Sequence, residues 1–421
     1  MSKKLSPIWL KRWQALEKAM NSSEIQDTTL KSMLACLKAF GEDQIRFFYD
    51  GFNNGRLLPS MNHPAENVLS STLAQVSYDL SAIRQAADQR RSPKLKTTLD
   101  KADQLAQSAL NLAIEKGLLE PGAVVTYFDK SPYIRVIPYA PVALVGIPYT
   151  AIESQRDLLA IPHEVGHYVY RHTSGLAANL LTQIPFDPPW FYRWLEEIFS
   201  DIYGCLVAGP VIGVDFQDLL LDNAVADFTV DDGEHPVDAI RPFVYIRVLE
   251  KLGFKNAAEA LDIRWAKHQV ARHYPESFGP YGTEDEIDLD YAREKIEEVV
   301  GVMLDYLLKD YNLKPESYWS EDLPPSNNDT DSLYEAFETW VNQSINITVN
   351  QLQVQGKKVG VSTENGDLKN IRHIGSTKSW QDKFKKFKDN VYVLPSSAWE
   401  LIFAAGSWPN KGPDGDPDVG M

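Results

Sequence analysis

Apolar residues recur every three or four positions along most of the chain, which is the spacing of amphipathic helices. The pattern predicts four helices before residue 120 and five more after residue 157. The predicted helices are Ile8–Met20, Thr29–Phe40, Val68–Gln89, Leu95–Lys116, Leu158–Arg171, Phe191–Val207, Val237–Leu252, Ala257–Lys267 and Tyr291–Tyr311. The pattern is therefore that of a mainly helical protein.

Two short regions depart from the helical pattern. After Pro121-Gly122, runs rich in Val, Ile and Tyr predict three strands, Val124–Phe128, Ile134–Pro138 and Val142–Ile147. Near the C-terminus, Ile345–Val354 alternates polar and apolar residues, and Val359–Ser362 follows a Gly-Lys-Lys turn, which predicts a hairpin. The predicted fold class is mainly α with a small β-sheet, or α+β.

Changes in texture along the chain predict three regions. Residues 1–120 form a helical N-terminal region, and residues 121–312 form a central domain. Residues 313–421 contain a linker rich in Pro, Ser and Asn (Lys314–Asn328), the helix and hairpin region, and a disordered tail from Pro409 to Asp418.

Charge narrows the classes of function. The 421 residues include 42 Lys and Arg against 58 Asp and Glu, a net charge of −16, which predicts no nucleic-acid partner and no anionic membrane surface. The longest uncharged apolar stretch, Val136–Ile152, is short and contains three prolines, so we expect no transmembrane helix. Two cysteines, Cys36 and Cys205, cannot build a disulfide framework or a thiolate metal site. With no secretory signal in the sequence, the expected location is cytoplasmic.

One segment carries metal chemistry. His163-Glu164-Val165-Gly166-His167 places two imidazoles four residues apart, on one face of a helix, where both can bind one ion. Glu164 lies beside them and can take a proton from the water that the ion binds. His172 lies five residues past His167 and points off that face, so we expect it to be a surface histidine.

A second segment supplies a third ligand. In Trp194–Pro210, Glu197 precedes Asp201 by four residues, again on one helical face. Glu197 completes a His-His-Glu site for one zinc ion per chain, and Asp201 accepts the free ring N–H of a ligating histidine. The alternative is a solvated acidic face formed with Glu196, but the flanking residues are mostly apolar. Glu197 is favoured over Glu196 because only Glu197 has the four-residue partner.

A third segment contains His235 and Arg241, which flank a predicted helix start at Pro236. Either side chain can stabilise the oxyanion that develops during peptide hydrolysis. The alternative is a structural role, in which Arg241 neutralises the acidic loop of Asp231, Asp232 and Glu234.

These three motifs resemble those of the gluzincin zinc metallopeptidases. The HExxH and ExxxD pair is similar to that clan as a whole, and the HPxxxxR element resembles its prenyl-protein and heat-shock membrane peptidases. The resemblance covers about residues 160–245 and implies a zinc endopeptidase. It makes His163, His167 and Glu197 the zinc ligands and Glu164 the general base, and it places Asp201 behind a ligand, where it supports that side chain. It implies that residues 121–312 are a gluzincin-like catalytic domain that acts on a protein or peptide substrate.

Two questions stay open from the sequence. Gluzincins bind substrate as an added strand, and Val142–Ile147 is either that edge strand or a buried strand of the same sheet. The chain is also compatible with a catalytically silent, metal-stabilised scaffold that binds a partner through its C-terminal region, although a structural site has no need of Glu164. The sequence predicts neither the oligomeric state nor the substrate.

Overall fold

The computed structural model describes residues 4–374 apart from 22, 60, 62, 136, 185–188, 222 and 320–329, together with 392–393. It is 62% helical with small sheets, which confirms the predicted class. The helices are α1 Ile8–Ala19, α2 Thr28–Asn53, α3 Ala65–Gln89, α4 Pro93–Glu115, α5 Ala160–His172, α6 Leu176–Gln183, α7 Leu195–Ala208, α8 Pro210–Leu221, α9 Arg241–Leu252, α10 Lys255–Arg272, α11 Leu289–Asp305 and α12 Thr330–Thr339.

Strands in the described residues form four small sheets. They are β1 Leu57–Leu58, β2 Ala123–Asp129, β3 Tyr133–Arg135, β4 Val142–Pro148, β5 Ser277–Phe278, β6 Ile287–Asp288, β7 Gln351–Gln355, β8 Lys358–Ser362, β9 Leu368–His373 and β10 Tyr392–Val393. The β7–β8 hairpin was predicted and is confirmed, and β9 extends it to three strands. Strands β1 and β10 pair in parallel, and β5 pairs with β6 in antiparallel register.

The three-stranded sheet beside α5 has the order β2-β4-β3. Strand β4 is parallel to β2, with Val125 opposite Leu144, and antiparallel to β3, with Ile134 opposite Val145. Because β4 has a partner on each side, the edge-strand interpretation of Val142–Ile147 is wrong and the buried interpretation is correct. The two end strands of this sheet are β2 and β3.

The same sheet separates two hydrophobic cores, since successive side chains of a strand point to opposite faces. Val124 and Val145 belong to the core that contains α4 to α12. Val125 and Leu144 belong to the core that contains α1 to α3 and the β7–β8 hairpin. The cores therefore do not follow the expected boundaries at 120 and 312, because α4 packs with the helices after the sheet and the hairpin packs with those before it.

Part of the predicted linker is packed. The Trp319 indole donates a hydrogen bond to the Val207 carbonyl oxygen at 2.9 Å and is 4% exposed. Its ring lies over Gly209, where an added Cβ would be 2.5 Å from the indole. Residues 320–328 of the linker and the predicted tail, from Pro409 to Asp418, lie outside the described residues. Among the residues that are described, no helix has both the length and the apolar character needed to cross a bilayer.

Candidate metal centre

The centre is built on two helices that approach very closely. Gly166 of α5 faces Ser200 of α7, and a Cβ at Gly166 would lie 2.8 Å from the Ser200 Cα atom. Since that distance excludes any side chain, glycine in the middle of HEVGH lets the two helices touch backbone to backbone. The contact carries Glu197, near the start of α7, to the face of α5 that holds both histidines.

Three side-chain atoms meet there with the spacing of metal ligands. His163 Nε2 lies 3.1 Å from His167 Nε2 and 3.4 Å from Glu197 Oε2, and His167 Nε2 lies 3.2 Å from Glu197 Oε1. Zinc–ligand bonds of about 2.0–2.1 Å in tetrahedral geometry separate neighbouring ligand atoms by roughly 3.3 Å. The three side chains were predicted as ligands, and among the described residues they form the one group suited to hold an ion.

Carboxylates lie behind both imidazole rings, which is how proteins orient ligating histidines. His163 Nδ1 is 2.9 Å from Asp201 Oδ1, although no described group meets hydrogen-bond geometry at that nitrogen. His167 Nδ1 is 2.9 Å from Glu196 Oε1, which also accepts from Arg171 Nε at 2.5 Å. Asp201 lies where it was predicted, beside a histidine. The contact of Glu196 with His167 was missed, because it depends on how α5 and α7 cross and leaves no local spacing signal.

Arg241 binds two carboxylates of the centre, those of Asp201 and Glu197. Its Nε donates to Asp201 Oδ2, and its Nη2 donates to Asp201 Oδ1 and Glu197 Oε2, each at 2.9 Å. Tyr245, one turn along α9, donates to Asp201 Oδ1 at 2.6 Å. Arg241 is 7% exposed, so its guanidinium neutralises two buried carboxylates. These hydrogen bonds fix the positions of the Glu197 and Asp201 carboxylates.

His235 reaches the centre from a loop. The helix predicted to start at Pro236 starts instead at Arg241, with Pro242 in its first turn. The His235 ring is held through Nδ1, 2.7 Å from Asp232 Oδ2, and its Nε2 lies 3.6 Å from Glu197 Oε1. Its side chain is 42% exposed. The chain thus folds back as expected and leaves this imidazole at the open side of the three ligands.

Electrostatics favour a cation at the centre. Burial raises the pKa of Glu197, but its histidine contacts and Arg241 outweigh burial and hold the pKa well below its usual range. Burial lowers the pKa of His163, but Asp201 and Glu197 outweigh it and raise that pKa to about 10 in the metal-free protein. Glu196, Glu197 and Asp201 carry three negative charges against the two positive charges of Arg171 and Arg241. If both histidines are neutral, the centre has one excess negative charge, which either a proton on His163 or a metal ion can balance.

A cleft of about 410 Å³ opens over the ligands. Glu164 lines it beside His163, and among the described residues no group forms a hydrogen bond or ion pair with the Glu164 carboxylate. Pro132, Tyr133 and Ile134, in and before strand β3, line one side of the cleft. Helix α8 lines another side, and the sequence pattern assigned no role to that helix.

The prediction that His172 is a surface residue is wrong. His172 is 5% exposed, and its ring stacks on Tyr168 with centroids 3.9 Å apart. Its Nδ1 lies 3.0 Å from the Tyr168 carbonyl oxygen. Burial lowers the pKa of His172 to about 4. The helix ends at this residue and packs its last turn into the core, so His172 is a neutral core histidine away from the metal ligands.

No family model, curated protein or solved structure matches this chain. The likeness to gluzincins is therefore a likeness of three short motifs.

Proposed function

We propose that the protein is a zinc-dependent endopeptidase. The observation that carries the proposal is the joint position of four side chains at an open cleft. His163, His167 and Glu197 lie at ligand spacing, and Glu164 lies beside them with no hydrogen-bond or ion-pair partner among the described residues. Two histidines and one glutamate are the donor set of catalytic zinc, with one position left for water or substrate. Zinc, when bound, would supply Lewis-acid activation of the peptide carbonyl and lower the pKa of water.

The protein's own groups then have distinct tasks. Glu164 accepts a proton from the attacking water and passes it to the departing amine nitrogen. His235, exposed at the edge of the ligands, is within reach to donate to the oxyanion that develops on the carbonyl oxygen. Arg241 and Asp201 hold Glu197 and His163 in place. We also propose that the free edge of β3 binds the substrate backbone as an added strand, since Tyr133 and Ile134 border the cleft.

A scaffold with a structural metal is the competing function. Structural zinc sites are closed by four protein ligands. The present group has three ligand atoms and opens to a cleft that also exposes a free carboxylate, which supports the enzyme.

The first prediction separates these functions through Glu164→Gln. The amide cannot accept a proton, so we expect a kcat lower by about 10²–10⁴-fold with about one zinc per chain retained. The measurements are metal content by mass spectrometry and cleavage of a fluorogenic peptide library, with and without chelator.

His167→Ala serves as the matched control, because it should lose both zinc and cleavage. If the parent protein binds zinc but cleaves no peptide, the scaffold interpretation replaces ours. If Glu164→Gln cleaves as fast as the parent, Glu164 is not the base.

A further inference from the structure

One wall of the cleft combines apolar surface with a single carboxylate. Ile212, Asp215, Phe216 and Leu219 all line the cleft from α8. Their spacing of three and four residues places them on one face of the helix. Asp215 lies in the middle of this face, which we call the α8 wall. Leu219 at its outer end is 66% exposed, so the wall runs from the centre to the surface.

The Asp215 carboxylate has no cationic partner among the described residues. The Tyr334 hydroxyl of α12 donates a long hydrogen bond of 3.4 Å to Asp215 Oδ1. The same hydroxyl donates to Asp218 Oδ2 at 2.7 Å, so its main bond is to that other carboxylate. Asp218 is in turn paired with Arg264.

The nearest charges do not compensate Asp215. Asp218 and Asp157 carry the same sign. Arg156 acts on Asp215 from a distance, but its guanidinium lies over the Tyr334 ring, 4.3 Å from the centroid. It also forms ion pairs with Asp331 and Glu338 at 3.5 and 3.7 Å. Burial, reinforced by Asp218, raises the pKa of Asp215 to about 7. A cation placed in the cleft would therefore stabilise the ionised form.

The shape and the charge together select one kind of side chain. Lysine and arginine have an apolar stem that can lie along Ile212, Phe216 and Leu219, and a cationic head that can meet Asp215. An apolar side chain of equal length would cover the carboxylate and remove its water without replacing it, which is unfavourable. An acidic side chain would be repelled by Asp215 and by Glu164, and the arginines of the same cleft, Arg171 and Arg241, are already paired with Glu196, Glu197 and Asp201.

We propose that the α8 wall is a specificity site for a basic residue next to the scissile bond, with Asp215 binding the lysine or arginine head. This proposal rests on the peptidase function, and it names the substrate class. Asp215 binds substrate here and takes no part in the proton transfers.

The test compares Asp215→Asn with Asp218→Asn. Both changes remove one carboxylate from α8 without changing its size, but Asp218 does not line the cleft and its charge is already paired. The probes are blocked peptides that differ at one position, lysine, arginine, norleucine or glutamate, on either side of the scissile bond. We expect the parent protein to prefer lysine over norleucine by about tenfold in kcat/KM, the effect of one charge-assisted hydrogen bond. Asp215→Asn should lose this preference, and Asp218→Asn should keep it.

A binding arm decides the matter without catalysis. In the Glu164→Gln background, the same peptides are titrated by fluorescence anisotropy, and lysine should bind more tightly than norleucine only while Asp215 is present. Equal affinity for the two peptides, or a preference that survives Asp215→Asn, overturns the inference. Selective lysine binding with no cleavage by the zinc-loaded parent protein would support the α8 wall and overturn the peptidase proposal. If Asp215 has only a structural role, Asp215→Asn should lower the melting temperature and affect all peptides equally.

Discussion

The two hydrophobic cores each contain a buried aspartate beside an arginine, and the two clusters differ in their hydrogen bonds. Asp201, in the core that contains α5 and α7, accepts three hydrogen bonds: two at Oδ1, from Arg241 and Tyr245, and one at Oδ2, from Arg241. Asp79, in the other core, accepts from Arg135 Nε at 2.7 Å and Gln75 Nε2 at 3.0 Å, both at Oδ1. Its Oδ2 has no hydrogen-bond partner among the described residues.

Their charges also differ. Asp79 and Arg135 form a pair of equal and opposite charges, which lies under β3 and ties that strand to α3. The cluster around Asp201 also contains Glu197 and Glu196, and its negative charge exceeds the positive charge of Arg241 and Arg171. A balanced buried pair needs no further ion. An excess of buried carboxylate beside two imidazoles is costly unless a cation joins it, either a proton on His163 or a metal ion, and of the two clusters the one around Asp201 offers that cation a place.

The largest expected effect comes from removing each arginine. Arg241→Met and Arg135→Met each leave a buried carboxylate without its cation, which costs about 3–5 kcal/mol of stability. Zinc should restore part of this loss in Arg241→Met, because the ion supplies positive charge beside Glu197. In Arg135→Met zinc should add only the increment that it gives the parent protein, since Asp79 lies in the other core. Denaturant unfolding in chelator and in excess zinc measures both increments. Equal zinc increments in the two variants would contradict the comparison.

Nine of the twelve α-helices in the described residues and the local part of the centre were predicted from sequence, because both depend on spacing along one element, whereas α6, α8 and α12 were not predicted. His163 and His167 share a helical face by their separation alone, as do Glu197 and Asp201. Helix α2 continues to Asn53, past the end that was predicted at Phe40. Gly41 does not end the helix; it is a glycine because it lies under the Trp13 ring, where a Cβ would be 2.6 Å from a ring atom. That packing reason involves a residue from another helix, and no local pattern contains it.

The contacts between elements were not predictable. The partner of Glu196, the carboxylates bound by Arg241 and the place of Asp215 in the cleft all depend on how α5, α7, α8 and α9 cross. Alternation in one strand likewise does not reveal its neighbours, which is why the position of β4 within its sheet stayed open until pairing was seen.

A smaller effect is expected from two tyrosine hydroxyls. Tyr245→Phe removes the 2.6 Å hydrogen bond to Asp201, and bonds to charged groups contribute about 1.5–3 kcal/mol. Burial and the charge of Asp79 raise the pKa of the Tyr139 hydroxyl, but no described group meets hydrogen-bond geometry with that hydroxyl. Tyr139→Phe should therefore change the free energy of unfolding little, or raise it. Chemical denaturation of both variants in chelator measures the difference, and a comparable loss in Tyr139→Phe would show that both aspartates are equally well bonded.

The smallest effect is in the pH dependence of stability, where one unit of pKa shift is worth about 1.4 kcal/mol. Burial, which Arg135 only partly offsets, raises the pKa of Asp79 above its ordinary value of 3.8. Burial also opposes the charge on Asp201, but Arg241 and His163 outweigh it and lower that pKa.

A raised carboxyl pKa gives stability that is present below the unfolded value and is lost as the pH rises through the folded one. A lowered pKa gives stability that is present above the unfolded value and is lost as the pH falls through the folded one. The two windows thus lie on opposite sides of pH 3.8. From pH 7 down to pH 4 in chelator, the parent protein should gain stability relative to Asp79→Asn, while its advantage over Asp201→Asn should not fall. Urea unfolding at pH 4, 5.5 and 7 measures both differences, and a fall in the advantage over Asp201→Asn within this range would mean that Asp201 lacks the donors that separate it from Asp79.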